Sequence, residues 1–310
     1  MLKQAMKIKS KNAKVFNFVL AVIMILITVL TLYPVWFSLI NSLNSAASIN
    51  KNGYALLISR TITFESWKSV LKNAEIMKAF GMTASRTVIV TVLQTLITAM
   101  FAYGYSKSYL VGKRFYTIVG FISMYLNGGV ISYFLLFNGM KIYNTYWVYI
   151  IPCLFGGFYN VVIFRANFRE IPESLEESAK LDGASEYTIF FKIILPLSKP
   201  VLTALGIFTA VGTWNDYTQT LYYTRSTDIQ TLSYYMLTVI HSSQTAENMM
   251  SNLSTGSATS SVLTSMSSQA SNYKTIELAC MVISSIPLIV VYPFVQRFFE
   301  KGLMVGSVKG

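Results

Sequence analysis

Six long runs of the chain carry no charged residue: Val15 to Ile40, Thr87 to Ser106, Phe115 to Met140, Ile142 to Phe164, Pro200 to Asn215 and Leu278 to Gln296. A bilayer core about 30 Å thick takes roughly 20 apolar helical residues to cross. The runs therefore predict an all-α polytopic membrane protein with spans at about 15–40, 84–106, 115–138, 145–165, 199–217 and 276–296. Little more than Lys141 and a polar turn at Tyr143 and Asn144 separates the third run from the fourth, as in a helical hairpin. Six crossings put both termini on one side.

The connections have patterns of their own. Phe64, Trp67, Val70 and Leu71 recur at helical spacing, which predicts a short amphipathic helix at the outer membrane interface. Residues 218–275 form an outer loop, within which Ser242 to Ser271 is rich in Ser, Thr, Asn and Met, the composition of a flexible connector. The connection at 170–198 is different. Pro172 suits a first helical turn, and Glu173, Glu176 and Glu177 favour the positive end of its dipole. Leu175, Ala179 and Leu181 would form an apolar stripe, and Gly183 permits a left-handed turn that ends the helix. Tyr187, Phe190, Phe191 and Ile194 then form a second stripe, closed by Pro196 and Pro200. The expected product is a helix, turn, helix knuckle on the cytoplasmic face.

Composition removes the soluble alternative: 53% of the 310 residues are hydrophobic, 12% are charged and the mean hydropathy is +0.50. A net charge of +12 suits either nucleic acid or an anionic membrane surface, and placement decides between them. Lys3, Lys7, Lys9, Lys11 and Lys14 precede the first run, and basic residues near span ends stay cytoplasmic. With that orientation most of the 25 Lys and Arg lie inside, so the charge is topological and a nucleic-acid partner is set aside. The rest lie mainly in the first connection, at Lys51, Arg60, Lys68, Lys72, Lys78 and Arg86. A signal peptide would have an apolar core of only about 7–15 residues, so the first run is expected to be retained. The domain plan is a cytoplasmic tail at 1–14, a six-span permease domain at 15–298 and a cytoplasmic tail at 299–310.

Enzymatic constellations are missing. Gly112 and Lys113 lack the other residues of a phosphate loop, His241 is the sole histidine, and Cys153 and Cys280 lie in apolar stretches. Neither a catalytic set nor a metal site is expected. Polar groups within spans are costly beside lipid and therefore mark a solute path. Trp214, Asn215, Asp216 and Tyr217 offer the aromatic face, amide and carboxylate that suit a sugar, with Tyr125, Asn127, Tyr133 and Gln94 as further candidates. The same four residues also read as a helix cap and an interfacial anchor. Gly156 and Gly157, near Asn160, read as close helix packing.

In the knuckle, Glu177, Ser178 and Ala179 are followed after three residues by Gly183 and after nine more by Ile193, Leu195 and Pro196. This resembles the EAA loop of ABC importer permeases, with Ser178 in place of the first alanine. Nearly the whole chain is similar to maltose-type carbohydrate uptake permeases, and within them to the subfamily taking up complex oligosaccharides in Gram-positive bacteria. Supporting segments are Asn144 to Trp147, Trp214 to Tyr217 and the tail from Lys301 to Gly310. The resemblance implies a type I ABC importer fold in the bacterial cytoplasmic membrane. It implies a homologous second permease, two ABC ATPase subunits that carry ATP and Mg, an extracellular sugar-binding lipoprotein and an oligosaccharide cargo, with no cofactor on this chain. It further implies that Glu177, Ser178, Ala179, Leu181, Asp182, Gly183, Ile193, Leu195 and Pro196 couple the chain to the ATPase. The alternatives, an ion-coupled secondary carrier or a non-transport membrane scaffold, leave this loop unexplained.

Overall fold

The computed structural model describes residues 11–126, 128–254, 272–293 and 296, whose regular structure is helical apart from one isolated bridge between Asn44 and Ile62. The chain forms two compact units, one of the chain up to Val70 with Val239–Ile283, the other of Leu71–Thr238 with the chain from Ser284.

In the first unit, α1 (Lys11–Ser42) leaves Phe18, Ile25, Leu30 and Leu32 exposed along its apolar length. Such a helix is at home only in hydrocarbon, where every backbone polar group must be bonded within the segment. Thr28 and Thr31 follow the same rule, donating to the carbonyls of Met24 and Ile27 at 2.7 and 2.9 Å. At the end of α1 the buried Asn41 amide exchanges two 2.8 Å hydrogen bonds with the Ala55 backbone, folding the following segment back. α2 (Ala46–Asn52) is capped by Ser45. α3 (Glu65–Lys72) is the expected amphipathic helix, but its buried face is Ser66 and Val70, with Trp67 donating to Ser42 at 3.1 Å. Phe64 and Leu71 are exposed.

The second unit opens with α4 (Ala74–Ser106), a helix of 33 residues and therefore about 50 Å long. Asn73 caps it by accepting from the N–H groups of Glu75 and Ile76. Arg86 thus lies inside a helix and not, as the charge count placed it, in the connection before a span. α5 (Lys113–Tyr125) and α6 (Gly129–Gly139) stand at 114° across the glycine break. Short 3-10 turns over Tyr146–Cys153 lead, through a 47° bend, into α7 (Gly157–Phe168). Gly156 is a packing glycine: a Cβ there would lie 2.8 Å from the Asn160 amide and 2.9 Å from that of Gln94. α8 (Glu173–Leu181), α9 (Glu186–Ile189), a π turn over Phe190–Ile194, α10 (Leu195–Leu197), α11 (Lys199–Asn215) and α12 (Thr218–Tyr223) follow. α13 (Leu232–Ser254) and α14 (Asn272–Pro293) come last, and of these Val239 onward in α13 and the part of α14 up to Ile283 belong to the first unit. Three described helices, α1, α4 and α14, are long and apolar enough to cross a membrane, and the total is six if each bent helix pair is one span.

The core of the second unit lies where α4 packs on α7 and α11. Ala99, Ala102 and Tyr103 of α4 meet Phe158, Val161 and Phe164 of α7, and Ile189, Phe190 and Ile194 close the cluster from the knuckle side.

Candidate functional site

The knuckle is built on one turn. Gly183 has φ +80, the left-handed conformation expected from sequence, and the N–H groups of Gly183 and Ala184 bond the carbonyls of Lys180 and Ala179 at 3.0 and 2.9 Å. This double bond pattern closes α8, and the Ser185 hydroxyl, accepting from Thr188 N–H at 3.3 Å, starts α9 at once. Pro196 has no N–H to give and crowds the carbonyl four residues back; the backbone widens into the π turn just ahead of it.

That widening changes which residues face inward. The buried set is Ile189, Phe190 and Ile194, whereas Tyr187 and Phe191 of the expected stripe are exposed. Leu181 also leaves its expected stripe: it is 90% exposed, while Ala179 packs against the core. The motif residues therefore divide into two groups. Ala179, Ile193 and Leu195 seat the knuckle on the core cluster, and Glu177, Ser178, Leu181, Asp182 and Gly183 face outward, with Pro196 ending the π turn.

Charged residues join the knuckle to the end of α4. Lys107, the residue that caps α4, bonds the Glu176 carboxylate, lies 3.7 Å from Glu186 Oε2 and sits 3.9 Å over the Tyr103 ring. Glu186 accepts from the hydroxyls of Tyr103 and Tyr109 at 2.7 and 3.0 Å, and from Lys180 at 2.8 Å. Partial burial opposes the charge on Glu186, but these donors and Lys107 outweigh it and hold the carboxyl at about 2. The hydrogen bond to Glu186 raises Lys180 above its ordinary value. A polar groove of about 290 Å³ runs between Ser106–Tyr109 and α8, with Arg169, Glu173 and Glu177 on its walls. Nearby, Lys113 caps the carbonyl end of α4, donating to Lys107 O at 2.9 Å, and burial together with Arg165 and Arg169 lowers its pKa.

The solute-path candidates do not converge. Trp214 is buried, donating to Ser284 O at 3.1 Å with its ring edge-on to Phe80, so its face is not presented as a sugar platform. Asn215 bonds back to Val211 O at 3.0 Å, and Tyr217 is exposed. Asp216 accepts from Thr218 N–H at 2.9 Å, the capping role, and pairs with Arg86 at 2.5 Å. Tyr125 and Tyr133 are exposed on α5 and α6, and Gln94 lies near Thr98 and Asn160 around Gly156. Asn127, the tail at 301–310 and residues 255–271 lie outside the described residues, and the first part of the connector expected at Ser242 to Ser271, up to Ser254, is not a loop but the continuation of α13.

Sequence reasoning missed Arg86, Tyr149 and Lys107. Arg86 is 1% exposed, with its guanidinium carbon 4.8 Å over the Tyr149 ring and its Nε and Nη1 without a protein partner. Tyr149 is anchored by donating to Ile229 O at 2.9 Å and by hydrogen bonds with Thr220 and Thr224. The only signal available for Arg86 was a charge adjoining a span with Asp216 at the end of another.

An all-helical, multiply spanning chain with such a knuckle is a membrane permease. The chain belongs to the family of binding-protein-dependent transport system inner membrane components, whose pattern matches residues 12–305. It is 32% identical to protein LplC of Bacillus subtilis over 282 residues, 91% of this chain and 90% of that one. The polygalacturonan/rhamnogalacturonan transport system permease protein YtcP of the same organism is 32% identical over 255 residues, 82% of this chain and 85% of YtcP. Among solved structures, a bacterial ABC transporter that imports the acidic polysaccharide alginate matches with a TM-score of 0.80 and 26% identity, over 95% of this chain and all of that one. The protein is thus the permease component of an ABC importer, in the inner membrane.

Proposed function

We propose that this chain is one of two homologous permeases forming the path of an oligosaccharide importer, and that its α8–α9 knuckle is the joint into which an ATPase subunit docks. Both termini and the knuckle lie in the cytoplasm in this reading, and a lipoprotein outside delivers the sugar. Two ATPase subunits carry ATP and Mg. The observation that carries the reading is the outward group on the knuckle: Leu181, 90% exposed, stands beside Glu177 and Asp182 on a turn flanked by Ala179 and Ala184, which pack against the core. An exposed leucine flanked by carboxylates suits an apolar pocket with a basic rim. Relatives that handle polygalacturonan and alginate support a polysaccharide-derived cargo.

The test is a crosslink. Leu181→Cys, in a chain whose native cysteines are replaced, should crosslink to a cysteine in the ATPase cleft of the assembled transporter. Labelling of Leu181→Cys only by impermeant reagents from outside intact cells would end this reading.

A further inference from the structure

We propose that Lys107 is a positioning residue that ties the docking helix α8 to α4, so that a displacement imposed on the knuckle moves both as one body. The inference rests on the docking reading above but concerns a different step: what happens to the displacement once it is received.

α9 is rooted by Ile189 in the core, but α8 buries no residue fully. Apart from the packing of Ala179, its attachment to the body of the unit is electrostatic. Lys180 pairs with Glu186, a contact within the knuckle itself, and so does not reach α4. Lys107 does. Its side chain is 10% exposed, it leaves from the carbonyl end of α4, and its ammonium meets Glu176 on α8 and Glu186 on α9. These carboxylates lie on opposite sides of the Gly183 turn, and one cation fixes the two helices against α4 at once. Without it they face each other in a half-buried site, where like charges repel. The Tyr103 ring beneath the ammonium adds a contact from the preceding turn of α4, and its hydroxyl holds Glu186 at 2.7 Å.

Spin labels on Leu181→Cys and Val88→Cys, with Cys153 and Cys280 replaced, report the distance from knuckle to α4 in the reconstituted transporter with its partner subunits. A further label on the ATPase reports docking. With Mg-ATP and vanadate as the probe, the distance from Leu181 to the ATPase should change while the distance from Leu181 to Val88 stays fixed. In Lys107→Gln the first response should persist and the second distance should shift or broaden. The charge swap Lys107→Glu with Glu176→Lys should bring back the fixed distance. An unchanged distance distribution in Lys107→Gln overturns the proposal, as does a swap that recovers nothing, and the swap also decides if Lys107→Gln fails to assemble. A parent complex in which Leu181 ignores the nucleotide instead sinks the docking reading, which separates the two failures.

Discussion

Two cations of α4, Arg86 in its first half and Lys107 at its end, are held in opposite ways. Arg86 is buried with a single carboxylate, Asp216, and the Tyr149 ring, and two of its nitrogens have no protein partner. Lys107 belongs to a network in which Glu186 alone has several donors, Lys180 and Tyr109 exposed, Tyr103 and Lys107 largely buried. A buried charge with one partner is a brittle contact, because removing the partner strands the charge. Glu186 keeps Lys180 and two tyrosine donors when one bond is lost, so the network within the knuckle is forgiving even though the link from α8 to α4 runs through Lys107. One end of the helix is thereby fixed, and the other can be pulled without being torn.

The largest effect should follow from breaking the brittle contact. Asp216→Ala leaves Arg86 unpaired in the interior, a loss of about 3–5 kcal/mol, and the chain should fail to accumulate in membranes or should extract with a sharply lowered melting temperature. Replacing both partners, as Arg86→Met with Asp216→Leu, removes the charge with its partner and should recover most of the folded chain. If Asp216→Ala melts with the parent, the supposed contrast between the two cations disappears.

What the sequence left hidden follows the same division. The spans and the knuckle with its glycine turn were legible because each is written in neighbouring residues: apolar length and a spaced motif. The start of α4 was not, because a charge was taken as a boundary, and what makes Arg86 tolerable inside a helix is a carboxylate 130 positions away. The inward face of the second knuckle helix was misread for a local reason, since a π turn shifts the phase of the stripe and brings Ile189, Phe190 and Ile194 together in place of Tyr187 and Phe191. Trp214 looked like a sugar platform because its chemistry suits one; only packing against Phe80 and the bond to Ser284 reveal its structural use.

The forgiving end has one position that tolerates few substitutes. Gly183, at φ +80, occupies a conformation that costs an L-residue roughly 1–2 kcal/mol and a β-branched one more. No heavy atom lies within 4 Å of a Cβ built there, so the cost is backbone strain and not a clash. Gly183→Val should therefore leave the chain in the membrane but disturb the knuckle, cutting uptake per ATP hydrolysed by tenfold or more. Gly183→Asn, which enters the left-handed region more readily, should retain most of the coupling. Equal losses in the two variants would point to the bulk of any side chain at the proposed docking surface and away from the turn.

The smallest effect should come from a single member of the network. Glu186→Gln keeps the shape but removes the charge that Lys180, Lys107 and two tyrosines satisfy; at a site this exposed the loss should be no more than about 1 kcal/mol. Its sign with pH is fixed. The carboxyl is held at about 2, below the ordinary 4.5, so its contribution is complete above about 4.5 and declines as the pH falls from there toward 2. The donors do not follow it: hydrogen bonding raises Lys180, and burial followed by the bond to Glu186 raises Tyr109, so both remain protonated across that window. Amide protection of residues 186–194 should then differ between the parent and Glu186→Gln by a factor of up to about 5 at neutral pH, and the difference should shrink as the pH is lowered below 4.5. A difference that persists undiminished near pH 2 would assign the effect of the substitution to packing, and Lys107 would then be holding Glu176 alone.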